Sequence, residues 1–190
     1  MLPDRGTNDV DDTTGQRTLV AKARLGDASA WESLYRRLYP QLAAYAGRRL
    51  DREAARDAVS EAMARAVARI GAFTWEGGGF DAWIFGILRH VVVDAHRAAV
   101  VRLPGGEPDE APSGEPGPLD HLLGAERASG VRAAFARLSP SDQEVLELRV
   151  VAGLSSEEVA IVVGKRPGAV RMAQARALER LRELLEEQER

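Results

Sequence analysis

The segment GLSSEEVAIVVGKRPGAVRMAQARALERL, residues 153–181, predicts two helices joined by a short turn. Ser155 followed three residues later by Glu158 has the spacing of a capping box, which satisfies backbone N–H groups where a helix begins. Gly164 suits the left-handed residue that ends such a helix, and Pro167 suits the first turn of the next one. This pattern is typical of a DNA-reading helix-turn-helix, although a helical hairpin within a core would produce the same spacing.

The charge of the second predicted helix favours the DNA-reading alternative. Residues 165–182 contain six basic residues and one acid, a local net charge of +5. In a helix-turn-helix the amino end of the second helix faces base edges in the major groove, where Arg can bind guanine and Gln can bind adenine. The residues expected to contact DNA are therefore Lys165, Arg166, Arg171, Gln174 and Arg176. Taken alone, the same residues could form an ordinary solvated face.

The composition of the chain is compatible with this interpretation. The chain has 190 residues and a formal net charge of −3, but residues 102–127 alone carry −4, so the average hides an acidic and a basic segment. Charges separated by more than about 8–10 Å are screened at physiological salt, so the acidic total does not exclude nucleic-acid binding. The absence of cysteine excludes disulfides and thiolate metal sites. A polar, acidic start and the lack of a long apolar run predict a cytoplasmic protein without membrane insertion of its own.

Helical periodicity predicts an all-α fold of two small domains, the second containing the helix-turn-helix. Residues 102–128 are rich in Pro, Gly and Glu and cannot bury a core, so we expect a flexible linker. The expected organisation is a disordered tail (1–17), a first domain (18–101), the linker (102–128) and a second domain (129–190). Helices are expected at about 28–50, 52–70, 80–99, 121–137, 140–151, 155–163 and 167–187, after a short one that begins at Thr18.

Residues 80–97, FDAWIFGILRHVVVDAHR, carry too many large apolar groups for one narrow helical stripe. Their spacing predicts that Trp83, Ile87 and Val91 are buried. In the alternative interpretation, some of the aromatic side chains and the nearby basic residues hold unstacked bases of single-stranded DNA. Both interpretations remain open from the residues alone.

Metal binding and catalysis have little support in the sequence. His90 and Asp94 are four residues apart and share a helical face, but His96 lies about 200° around the helix from Asp94. Two ligands do not complete a tetrahedral site, so no metal is expected. Asp57 and Glu61 are also four apart, but no nucleophile or histidine accompanies them, and a solvated or partner-facing surface is the better interpretation.

Four segments in this order resemble the extracytoplasmic-function (ECF) sigma factors of bacterial RNA polymerase. Residues 19–50 are similar to the opening of the family's first domain, with its Gly-Asp break and aromatic-rich helix. The segment DAVSEAMARAV (57–67) resembles the polymerase-docking helix, and residues 80–97 resemble the segment that melts and reads the −10 promoter element. Residues 138–184 resemble the domain that reads the −35 element.

The resemblance implies partners and sites, but no cofactor and no enzymatic activity. The implied partners are the core polymerase (β′ clamp helices and β flap), promoter DNA and an anti-sigma factor. The implied core-binding residues are Asp57, Glu61 and Arg65; those for the −10 element are Trp83, Phe85, Arg89, His90 and Arg97. The residues implied for the −35 element are those already named on the second helix of the helix-turn-helix. His90 stands where Asn is usual, and Ala173 stands where many members carry Arg.

Two alternatives assign the chain to other classes of protein. A two-domain transcription regulator would share the helix-turn-helix but leave the docking-like and −10-like segments unexplained. A helical adaptor without DNA affinity would leave the basic helix unexplained.

Overall fold

The computed structural model describes residues 8–75, 78–102 and 125–188, and these ranges contain helices and no strand. The helices are α1 (Asn8–Arg24), α2 (Ala28–Gly47), α3 (Arg52–Arg69), α4 (Phe80–Arg102), α5 (Ala125–Ala136), α6 (Pro140–Leu146), α7 (Ser156–Val163) and α8 (Pro167–Gln188). A 3₁₀ turn (Ile70–Ala72) follows α3, and a π-helical turn (Glu147–Val151) continues α6. The predicted all-α class is confirmed.

Several helices begin directly after a short polar side chain that accepts hydrogen bonds from the first backbone N–H groups of the helix. Asp27 accepts hydrogen bonds from the backbone N–H groups of Ser29 and Ala30 at the start of α2, and Asp51 caps α3 in the same way. Ser139 caps α6, with Pro140 as its first residue, as the sequence predicts. The break before α2 uses Gly26 at φ +85°, a conformation that costs glycine little.

Two predicted boundaries differ from the structure. The expected disordered tail is wrong for residues 8–17, because α1 begins at Asn8. No apolar periodicity marks these turns in the sequence. At their end the Gln16 side-chain amide donates to Asp81 Oδ1 (2.5 Å), and the Arg17 guanidinium lies 4.6 Å from the Trp75 ring centroid. The expected linker is also too long, because Arg102 belongs to α4 and residues 125–128 belong to α5. The rest of it, 103–124, lies outside the described residues.

The core of the first domain lies between α2, α3 and α4. Its fully buried side chains include Leu34, Leu38 and Leu42 on one stripe of α2. From α4 it receives Phe80, Ile84, Phe85 and Leu88. Of the side chains predicted to be buried, Val91 is, whereas Trp83 and Ile87 are half-buried against this core.

The second domain packs directly on the first, with α7 lying against α4. One side of it forms a small core between α5, α6 and α8 around Leu146 and Leu184. The other side, including Leu148, Val159 and Val170, joins the hydrophobic core of the first domain. The two domains are therefore closed on each other. No helix among the described residues has the length and apolarity required to cross a membrane.

Candidate nucleic-acid interface

Helices α7 and α8 form the predicted helix-turn-helix. The Glu158 backbone N–H donates to Ser155 Oγ (3.1 Å) and the Ser155 backbone N–H donates to Glu158 Oε2 (2.8 Å), so the capping box is present. Gly164 ends α7 at φ +69°, and Pro167 begins α8. These local features turn the chain between the two helices, as their spacing in the sequence predicts.

Helix α8 buries its apolar stripe and exposes its basic side chains. Val170, Ala173, Ala177 and Leu184 are buried. The residues of the predicted DNA-contacting set that are exposed are Lys165, Arg166, Arg171 and Arg176. Ala173 therefore faces the core and not the exposed basic side of the helix.

Arg171 and Gln174 already have partners within the chain. Arg171 Nη1 lies 3.0 Å from Glu157 Oε1, and both side chains are more than half exposed, so solvent and salt weaken this pair. Half-buried Gln174 accepts a hydrogen bond at Oε1 from Arg149 Nε (2.9 Å). Arg149 also donates to the Leu154 backbone oxygen, and so ties the π-helical turn to α8 and to the loop just before α7. Sequence analysis missed Arg149, since nothing local distinguishes it from a solvated arginine.

The expected −10 residues on α4 fall into an exposed and a buried group. His90 and Arg97 are exposed; His90 Nδ1 lies 2.6 Å from the Gly86 carbonyl oxygen, and Arg97 lies 4.0 Å from Asp94. Phe85 has no exposed surface and makes an edge-on contact with Tyr45, with 5.8 Å between ring centroids. It is therefore inaccessible to DNA in this closed arrangement, and its expected place in the −10 set stays a prediction.

Trp83 lies at the edge of an aromatic cluster beside an open cleft. Its ring centroid is 5.2 Å from that of Phe73 and 5.5 Å from that of Phe80. The cleft has a volume of about 160 Å³ and is lined by Phe73, Thr74, Gly78, Gly79 and Trp83, together with Ile161 from α7. It combines aromatic surface with glycine backbone, so a flat, partly polar group such as a nucleobase suits it.

The expected polymerase-docking residues share one side of α3. Asp57 and Glu61 are exposed, Arg65 is half-buried, and Arg65 Nε lies 2.7 Å from Glu61 Oε1. Spacings of four residues place all three on one helical face, beside the buried stripe that includes Val59 and Ala62. The face offers two carboxylates and one guanidinium rather than an apolar patch.

Two carboxylates from the second domain pair with basic groups of the first. Glu144 Oε1 accepts hydrogen bonds from the Tyr45 hydroxyl (2.9 Å) and from Arg89 Nε (3.0 Å). Glu147 is only 4% exposed; its carboxylate oxygens lie 2.5 Å from Arg49 Nη2 and 3.6 Å from Arg48 Nε.

Burial raises the pKa of Glu147, and the positive charges of Arg49 and Arg48 oppose that rise. Burial likewise raises the pKa of the Tyr45 hydroxyl. Sequence analysis missed these contacts, because they join residues far apart in the chain and leave no local pattern.

A cluster of three or more potential metal-ligating side chains does not occur in the parts of the chain that the structure describes. His90 and Asp94 therefore remain two neighbouring polar residues on α4.

Comparison with known proteins identifies relatives over nearly the whole chain. Residues 34–100 match the family model of Sigma-70 region 2, and residues 130–181 match that of Sigma-70 region 4. The chain is 34% identical over 188 residues to the ECF RNA polymerase sigma factor ShbA of Streptomyces griseus subsp. griseus, covering 93% of this chain and 98% of the relative. It is 36% identical over 177 residues to the ECF RNA polymerase sigma factor BldN of Streptomyces coelicolor, covering 92% and 67%.

A solved structure shares the fold. The sigma factor RpoE of Bartonella quintana, crystallised with the anti-sigma factor NepR, superposes with a TM-score of 0.67 at 26% identity, covering 82% of this chain and 96% of that chain.

Proposed function

Because this chain belongs to the ECF sigma factors of bacterial RNA polymerase and directs promoter recognition and transcription initiation, we propose how its residues divide that work. The proposed first domain, residues 18–101 with the helical turns before it, binds core polymerase and the −10 element. The proposed second domain, residues 129–190, reads the −35 element. Membership of this family also decides against the regulator without polymerase binding and the adaptor without DNA affinity.

The observation that carries the −35 assignment is the exposed basic row on α8 at the start of a capped helix-turn-helix. Lys165 and Arg166 lie in the turn, and Arg171 and Arg176 lie on the side of α8 opposite its buried stripe. Arg171 is suited to base contact in the major groove, since its guanidinium presents parallel N–H donors to guanine O6 and N7. Lys165, Arg166 and Arg176 supply phosphate contacts, which set affinity and register without reading sequence.

For the −10 element we propose that an unstacked base enters the cleft beside Trp83. The Phe73 and Trp83 rings offer a stacking surface, and base–aromatic stacking contributes about 1–3 kcal/mol per base. Arg89, His90 and Arg97 extend from the same helix and would follow the DNA backbone. Phe85 supports this surface from inside the core in the closed arrangement.

The exposed face of α3 is the proposed contact with the β′ clamp helices. Asp57, Glu61 and Arg65 form a charged row that can pair with complementary charges on a partner helix. The chain is proposed to act in the cytoplasm without catalysis of its own. An anti-sigma factor, such as the one bound to the Bartonella relative, is a proposed partner.

The deciding experiment mixes the purified chain with core RNA polymerase on promoter templates selected from genomic DNA. Promoter-specific initiation that requires the chain is the expected result. Asp57→Ala/Glu61→Ala should reduce capture of the chain by core polymerase, whereas Glu32→Ala, which removes an exposed carboxylate from α2, should not. No binding to core polymerase by the wild-type chain would overturn the proposed division of work.

A further inference from the structure

The contact between the domains gathers three arginines around two carboxylates. Arg48 and Arg49 come from the end of α2, and Arg89 comes from α4. Glu144 and Glu147 enter from α6 and the π-helical turn that continues it. The cluster carries one excess positive charge while the domains are closed, and three if the second domain withdraws its carboxylates.

While the domains are closed, Arg49 is 22% exposed and Arg89 is 31% exposed at the side chain, so the two carboxylates supply much of the compensation for these charges. Arginine pairs bidentately with carboxylate and with phosphate through the same fork of N–H groups, so one anion can replace the other. An open arrangement therefore leaves three neighbouring arginines available to a second anionic ligand.

The position of the cluster indicates which anion this is. Arg89 belongs to the same helix as His90, which follows it directly, and Arg97, which lies about two turns further on. The cluster lies against Phe85 and Tyr45 on the side that the second domain covers. A DNA strand that follows α4 past Arg89 would meet Arg48 and Arg49 next. The phosphodiester backbone is the polyanion that initiation brings to this helix.

We propose that Arg48, Arg49 and Arg89 form a binding site for the phosphodiester backbone of promoter DNA, and that Glu144 and Glu147 of the second domain occupy this site while the domains are closed. The proposal rests on the proposed −10 role of α4 and adds two arginines that directly follow α2 and that the sequence does not single out. Closure then competes with DNA, and the apparent affinity for DNA falls in proportion to the fraction of open molecules.

A second contact holds the same closed arrangement at the cleft. The Gly79 backbone N–H donates to Glu158 Oε1 (3.3 Å), and a Cβ atom placed on Gly78 would lie 2.8 Å from Ile161 Cδ1. Helix α7 thus forms one side of the cleft, and α6 with its π-helical continuation covers the arginines. Both proposed DNA-binding features of the first domain therefore lie against the second domain.

The test measures binding of a fluorescein-labelled, mixed-sequence single-stranded oligonucleotide to the full chain by fluorescence anisotropy. Glu144→Gln should open the domains, because it removes the charged acceptor of Arg89 and Tyr45. Opening is seen as a larger radius of gyration in X-ray scattering, and it should tighten binding. The gain is about tenfold if about nine-tenths of wild-type molecules are closed. Glu32→Gln is the matched control, since it neutralises a carboxylate in an exposed ion pair with Arg36 and should change neither quantity.

Arginine variants in the opened background identify the ligand. Arg48→Ala/Arg49→Ala should abolish the gain and lower the slope of log affinity against log salt by about 0.7 for each phosphate that the variant no longer neutralises. Arg36→Ala should leave the gain intact. If Glu144→Gln does not fold by circular dichroism, Glu144→Asp is used instead, because its shorter side chain draws the carboxylate back from Arg89 and Tyr45.

Three results would overturn the proposal. The glutamine variant could remain compact; it could open without binding DNA more tightly; or its gain could survive removal of Arg48 and Arg49. Weaker capture by core polymerase with unchanged DNA binding would also overturn it, and would assign the arginines to an acidic polymerase surface. Because anisotropy uses the chain alone, its result is independent of the initiation assay that tests the proposed function.

Discussion

Replacing Arg171 with alanine separates the proposed base contact from any role in stability. Arg171 pairs with Glu157, 3.0 Å away, and the two side chains are 60% and 63% exposed. Exposed pairs of this kind contribute about 0–1 kcal/mol, so Arg171→Ala should leave the free energy of unfolding nearly unchanged. A bidentate contact with a guanine contributes about 1–3 kcal/mol of discrimination, which corresponds to a decrease of about 5- to 150-fold at the cognate −35 element.

The assay is run-off transcription with core polymerase on a cognate promoter and on single-base variants of its −35 element. The expected result is weaker transcription from the cognate promoter and a loss of discrimination at one base position. Arg180→Ala is the matched control, because Arg180 is also an exposed α8 arginine with a nearby carboxylate, Glu183 at 2.9 Å. Unchanged discrimination in Arg171→Ala, or an equal loss in Arg180→Ala, would refute the base-reading role.

Three further changes have expected outcomes. Ser155→Ala removes the α7 cap and should lower the free energy of unfolding in urea by about 1 kcal/mol. Ser155→Asp, which can still cap the helix, should keep most of that stability. Trp83→Ala removes a half-buried ring from the aromatic cluster and should cost about 3 kcal/mol of stability in the same assay; full stability would contradict its packing role. Because burial raises the pKa of Glu147 above its ordinary value of 4.5, the closed arrangement binds a proton more readily than the open one. Lowering the pH from neutral toward that value should therefore compact the chain in X-ray scattering, and Glu147→Gln should remove the pH dependence contributed by this group.

The helix-turn-helix could be predicted because its determinants are local. Ser155 and Glu158 recognise each other across one helical turn, and Gly164 needs no partner to adopt a positive φ. The same is true of the Ser139–Pro140 start of α6. Such signals depend on the backbone within a few residues, so the sequence contains all the information that they require.

The part of α1 before Thr18 could not be predicted from periodicity, and its last two residues contact side chains elsewhere in the chain. Residues 8–17 show no apolar periodicity, and contacts with Asp81 and Trp75 hold Gln16 and Arg17 against the first domain. Helical propensity alone does not order a short polar segment, so tertiary contacts decide.

Phe85 shows the limit of reasoning from residue type at the candidate site. An aromatic side chain on a helix expected to bind DNA suggests a stacking surface, but α4 turns this ring into the core, against Tyr45. The arginines that do line the domain contact, Arg48 and Arg49, follow an unremarkable helix end. Their partner Glu147 lies about a hundred residues further along the sequence, and only the closed fold brings them together.

The π-helical turn Glu147–Val151 sets the angle by which α7 and α8 are rotated relative to α6. Its wider turn is closed by the Ala152 backbone N–H donating to the Glu147 carbonyl oxygen (2.9 Å), five residues back. A regular α-helix rotates by about 100° per residue, so deleting one residue here would restore ordinary winding and turn everything after it by about that angle. The helix-turn-helix would keep its own geometry while losing its alignment with the carboxylates. The winding of this one turn therefore determines both where α8 points and whether Glu144 and Glu147 face the first domain at the same time.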